Sequence, residues 1–129
     1  MLDTNICIAA MRKSDGDLFD RLDKQKSKLC ISTITLHELD HGAERAQRPD
    51  VERGRIFALT SLLEVLDFDA DAANHSGQIH AALAKSGQVI GAYDMLIAGH
   101  ARSLGLTVVT SNLKEFSRIE GLRCEDWLG

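Results

Sequence analysis

Asp3, Glu38, Asp94 and the pair Asn112/Glu115 are far apart in the chain, yet each stands where an extended segment should end. They lie in MLDTN, ISTITLHELDHG, IGAYDMLIAGHA and VVTSNLKEF. If they converge in the fold, they make an acidic pocket with no built-in cation. Packed acids of one sign repel each other, and a divalent metal is the usual remedy. Oxygen-only ligands suit Mg²⁺ or Mn²⁺. Those ions suit phosphodiester chemistry, so the residues point to a small metal-dependent nuclease.

Each segment also has a plainer reading. Asp3-Thr4-Asn5 can begin a helix through an Asx turn, and an acid such as Asp94 at a helix start suits the dipole. Asn112 can bind metal through its carbonyl but brings no charge. Glu115, one helical turn on, can supply that carboxylate. Glu38 lies within His37-Glu38-Leu39-Asp40-His41, a match to the zinc-peptidase pattern H-E-x-x-H. Gly42 follows at once and no third ligand stands out, so a chance match around a carboxylate ligand is preferred. Asp67, Asp69 and Asp71 imitate the start of a calcium loop. Its glycine position is Ala72 and its closing acid is Gln78, so they read as helix-capping residues.

Alternating strands and helices must position these side chains. Residues 29–34, 63–68 and 106–110 read as strands, 122–124 as a last short one, and Met1-Leu2 as the tail of a first. Helical spacing runs over 35–47, from Asp50 onward, over 69–85 and over 91–104. Pro49 breaks the first of these, Asp50 can cap the second, and Gly105 can close the last. The apolar stripes of a helical hairpin over 35 to about 63, Leu59 among them, make it a candidate partner or dimer surface. The alternation predicts a mostly parallel sheet covered on both faces. Ligands bind such sheets beyond the carboxyl ends of the strands.

With 129 residues, 44% of them apolar, and no repeat, the chain reads as one domain with an ample core. No apolar run reaches the roughly 18 residues of a membrane helix. The N-terminus lacks a basic-then-apolar leader, so the expected address is cytoplasmic, away from membranes. Cys7, Cys30 and Cys124, odd in number and scattered, argue against a disulfide framework. The net charge of −4 counts against a binder held by a general positive field, less so against an enzyme whose acids a metal neutralises. Basic residues do group locally: Arg12 with Lys13, Lys24 with Lys26 and Lys28, Arg45 with Arg48, Arg53 with Arg55. Such runs are more often a solvated helix face than a groove.

Taken together, the segments resemble the PIN-domain nucleases, and within them the VapC-type toxins of bacterial toxin–antitoxin pairs. MLDTN, S-x-I-T-L-x-E-L-x-x-G-A from Ser32, I-G-x-Y-D-x-x-I-A-G-H-A from Ile90, V-V-T-x-N-L-x-E-F from Val108 and the closing E-D-W carry the resemblance. It implies a three-layer α/β/α sandwich spanning residues 1–129. It implies Mg²⁺ or Mn²⁺ held by Asp3, Glu38 and Asp94. Many members carry Asp where this chain has Asn112, so the fourth ligand falls to Asn112 or to its natural substitute, Glu115. The resemblance further implies a homodimeric endoribonuclease acting on tRNA or another structured RNA. A metal-activated water would leave 5′-phosphate and 3′-hydroxyl ends. A VapB-type antitoxin is the implied partner, its tail entering the acidic pocket, commonly with an arginine. A guanidinium can replace the metal's charge and bridge carboxylates. Two other classes stay open: a zinc peptidase using His37, Glu38 and His41, and a non-catalytic RNA- or protein-binding module.

Overall fold

Three N-terminal residues form the middle of the sheet. In the computed structural model, which describes residues 1–12 and 16–128, Leu2 pairs in parallel with Val109. The Leu2 amide donates to Cys30 (2.9 Å), and the Asp3 amide donates to Val109 (3.0 Å). On one side lies β1 (Cys30–Ser32), paired in parallel with β2 (Glu64–Leu66). On the other lies β3 (Val108–Val109), paired in parallel with β4 (Cys124–Glu125). The order is therefore β2, β1, N-terminal segment, β3, β4. It reverses between the N-terminal segment and β3, the position where parallel sheets open a crevice for ligands. Asp3 leaves the sheet at that crevice.

Successive side chains on a strand point to opposite faces, and this divides the core in two. Met1, Cys30 and Val108 face a cluster built on α5 (Ala70–Lys85) and α6 (Ala92–Ser103), with Phe116 of α7 (Leu113–Phe116) added to it. Leu2, Ile31 and Val109 face a second cluster. Ile6 of α1 (Thr4–Arg12), Leu22 of α2 (Asp17–Lys24), Leu39 of α3 (Thr33–Glu44) and Ile56 of α4 (Pro49–Thr60) complete it. The result is the three-layer α/β/α arrangement with an all-parallel sheet. Leu2 is fully buried, and burial of about 1.5–3 kcal/mol for such a side chain helps to hold a segment of so few residues in place.

Local chemistry sets the helix starts. Ser32 caps α3 by accepting from the Ile34 amide at 3.0 Å, and Asp69 caps α5 by accepting from the Ala72 amide at 2.9 Å. Gly91 precedes α6, and Gly105 follows it with φ +67°, a conformation glycine adopts without strain. Pro49 is the first residue of α4, where its missing N–H costs nothing, so Arg48 rather than Asp50 occupies the cap position. The α3–α4 hairpin forms, but Leu59 is only 1% exposed and belongs to the core; Phe57, at 74%, is its exposed apolar residue. α5 and α6 cross closely enough that a Cβ on Gly99 would lie 2.5 Å from the Ser76 amide nitrogen. Buried His100 shares a 2.8 Å hydrogen bond with the Ser32 hydroxyl, tying α6 to the cap of α3. Burial lowers the pKa of His100 and keeps it neutral.

Lys13, grouped with Arg12 in the sequence, lies outside the described residues. Other basic residues are engaged in ion pairs on exposed helix faces. Arg53 pairs with Glu44 and Asp40, Arg55 with Glu52, and Lys26 with Asp23. No helix among the described residues is long and apolar enough to cross a membrane.

Candidate active site

Asp3 combines both readings of its motif. Its Oδ1 accepts from the Ile6 amide at 3.0 Å, which fixes the first turn of α1. Its Oδ2 accepts from the Thr110 hydroxyl at 2.5 Å, across the switch point from the end of β3. The carboxyl group is 2% exposed. Burial pushes its pKa up and the negative charge of Asp126 adds to that, while the bonds from Thr110, Ile6 and Asn5 act in the opposite direction.

Glu38 projects from α3, half-buried, and its Oε1 accepts from the Thr4 hydroxyl at 2.6 Å. Thr4 is the first residue of α1, so the segment carrying Asp3 also orients Glu38. Asp94 stands in the first turn of α6, where Gly91 leaves the helix start bare. Among the described residues its carboxylate has no hydrogen-bond or ion-pair partner. Its pKa is pushed up to about 6, by burial first and then by the charges of Asp3, Glu38 and Glu115. Charges from three distant segments thus act on one carboxylate.

Asn112 and Glu115 act as a unit. The Asn112 amide Nδ2 donates to Glu115 Oε2 at 2.6 Å, and the Asn112 backbone N–H donates to the Thr110 hydroxyl at 2.8 Å. The amide thus fixes the Glu115 carboxylate, whose charge acts on Asp94.

Asp3, Glu38, Asp94 and Glu115 take part in none of the ion pairs formed among the described residues. Nor are three His, Cys, Asp or Glu side chains drawn into a coordination cluster among them. The like charges that act on Asp94 would still be relieved by a hard divalent cation, whose ligands are oxygens. His37 and His41, the histidines of the zinc-peptidase pattern, are exposed and gain no third ligand among the described residues.

Two contributors escaped the sequence reading as site residues: Thr110 and Asp126. Thr4, which the sequence offers as a group to orient Asp3, instead donates to Glu38. Thr110 ends the most β-branched run, which by itself gave no sign that it meets Asp3. Asp126 lies in the closing segment, which Trp127 anchors by packing under the Arg21 guanidinium at 4.2 Å.

The model of the PIN domain matches residues 1–122. A protein of Shigella flexneri named tRNA(fMet)-specific endonuclease VapC is 49% identical over 98% of this chain and 96% of its own length. Among solved structures, DNA-bound VapBC from Salmonella typhimurium superposes with a TM-score of 0.94 at 50% identity, over 98% of this chain and 96% of that one. VapBC2 from Rickettsia felis, bound to a promoter DNA fragment, does so with a TM-score of 0.93 at 35% identity, over 98% and 97% of the two chains.

Proposed function

Because this chain belongs to the PIN-domain family, and within it to the VapC-type ribonuclease toxins of toxin–antitoxin pairs, we propose that it cleaves a tRNA by divalent-metal-dependent hydrolysis at the acidic crevice. One observation carries the proposal: Asp94 feels the charges of Asp3, Glu38 and Glu115 together, with no cation paired to any of them.

Asp3, Glu38 and Asp94 would hold Mg²⁺ or Mn²⁺. Asn112 steadies Glu115 and leaves its carbonyl oxygen available as a fourth donor. When bound, the ion activates water and neutralises charge on the phosphate. The chain itself fixes the donors. Thr110 and the Ile6 amide lock Asp3, Thr4 locks Glu38, and Asn112 locks Glu115. Such partners orient ligating groups and raise their effectiveness. Water then attacks phosphorus and the 3′ oxygen leaves, giving 5′-phosphate and 3′-hydroxyl ends. The name of the Shigella relative makes initiator tRNA the first substrate to test.

The partner is a VapB-type antitoxin, as the VapBC complexes suggest. A cavity of about 280 Å³ runs between α1, α3 and α4, lined by the apolar Ile8, Met11, Leu39 and Ala43 and by the charged Arg12, Glu38, Glu52 and Arg55. It suits an apolar segment ending in an arginine that reaches the carboxylates. The protein acts in the cytoplasm as a homodimer, as the family resemblance implies.

Partner-free protein incubated with total bacterial RNA, with Mg²⁺, Mn²⁺ or EDTA, tests the proposal. Metal-dependent fragments of one tRNA whose 5′-phosphates permit direct ligation are expected. Fragments ending in 2′,3′-cyclic phosphate would overturn it, because they require attack by the RNA's own 2′-hydroxyl.

A further inference from the structure

The acids explain how a phosphodiester is attacked and not how RNA is held against them. A ring of carboxylates on a chain of net charge −4 repels the phosphate backbone. Arg12 and Arg55 line the cavity that Glu38 also lines. Beside the acids themselves stand two aromatic groups indifferent to that charge. Tyr93 immediately precedes Asp94 on α6, and His37 immediately precedes Glu38 on α3. Their rings lie 5.5 Å apart, tilted by 51°. A 3.2 Å hydrogen bond joins His37 Nε2 and the Tyr93 hydroxyl, bridging the two helices. His41 extends the surface, its ring 6.4 Å from His37 and within 13° of parallel.

These rings are not core residues. Tyr93 is 46% exposed, and both histidines are exposed. Tyr93 is the only tyrosine of the chain. Phe116 is fully buried, and Trp127 is covered by Arg21. Phe57 is more exposed than Tyr93 but stands on α4, away from Asp94. A planar face with polar edges, held beside the reacting phosphate, is how proteins take unstacked RNA bases. It works for any base because every base has a π-face.

We propose that Tyr93, backed by His37, stacks an unpaired nucleobase next to the scissile phosphate. This rests on the nuclease reading of the adjacent acids.

The test is equilibrium binding of a fluorescein-labelled RNA hairpin, and of the same hairpin with abasic loop nucleotides, to the Asp3→Asn protein. Cleavage of the hairpin by the parent protein with Mg²⁺ or Mn²⁺ is measured in parallel. Tyr93→Ala in the Asp3→Asn background should weaken binding by roughly ten-fold or more, the range expected for one lost stack. Tyr93→Phe should bind as tightly as Tyr93, and the abasic loop should erase the difference between variants. Unchanged binding by Tyr93→Ala, or an equal loss in Tyr93→Phe, overturns the proposal. So does a Tyr93→Ala protein that binds the hairpin normally but loses its antitoxin, which would assign the face to the protein partner. If the parent cuts no RNA while binding still depends on the Tyr93 ring, the nuclease reading fails and the stacking site stands. If cleavage persists without that dependence, the stacking site alone fails.

Discussion

Asp94→Asn should stabilise the metal-free protein while abolishing its activity. Asp94 is held at about 6 against an ordinary value of 3.8. At about 1.4 kcal/mol per pKa step, the ionised side chain costs the fold at most about 3 kcal/mol at neutral pH. The group is only half-buried, and solvent screening reduces this to about 1.5 kcal/mol. The substitution also forfeits about 0.5 kcal/mol of favourable interaction between an acid and the start of α6. The net gain is about 1 kcal/mol, or roughly 3–5 °C in Tm for a chain of this size. The sign with pH follows from linkage. The folded protein binds the Asp94 proton more tightly than the unfolded chain, so acid favours the fold. Stability falls as pH rises from 3.8 to about 6, and the full penalty is present above that. Thermal unfolding in EDTA across this range checks it. The parent curve should fall with pH, the Asn variant should fall less, and added Mg²⁺ or Mn²⁺ should raise the parent more than the variant. An Asp94→Asn protein less stable than its parent at neutral pH in EDTA would refute the electrostatic account.

Two further predictions concern other parts of the structure. Gly99→Ala places a methyl 2.5 Å from the Ser76 backbone and must part α5 from α6. It should cost about 1–3 kcal/mol in denaturant unfolding, and an unchanged midpoint would show that the crossing is looser than described. Asn112→Ala should lower kcat/KM by about 10–100-fold through a released Glu115. Glu115→Gln should lower it further. The reverse ranking would make Asn112 the principal donor.

Much of this was legible in the chain because the signals were local. Asp69 caps a helix as its type predicts, and the run before Thr110 becomes a strand, whereas Ser32, expected inside a strand reaching residue 34, ends that strand and caps α3. Asp3, Glu38 and Glu115, named from their places at segment ends, all lie near enough for their charges to act on Asp94. Long-range adjacency was not legible. Thr110 differs from any β-branched strand residue only because Asp3, 107 positions away, ends the neighbouring strand. Thr4 serves Glu38 for a similar reason. Leu59 has the spacing of an outward stripe as much as of an inward one, and only the packing of α4 decides that it is core. Asp50 is a good cap by type, but Pro49 fits the first helical turn and moves the boundary one step earlier.

The most direct test of the central claim is single-turnover cleavage of initiator tRNA by the partner-free protein beside Asp3→Asn. Asparagine can still accept from the Ile6 amide, so the fold should persist, as circular dichroism would verify. Cleavage with Mg²⁺ or Mn²⁺ by the parent, none in EDTA, and a loss of at least a hundred-fold in the variant are the predicted results, of the order seen when one charge-stabilising group is removed. A folded Asp3→Asn protein that cleaves as fast as the parent would contradict the assignment of the acidic crevice as the active site.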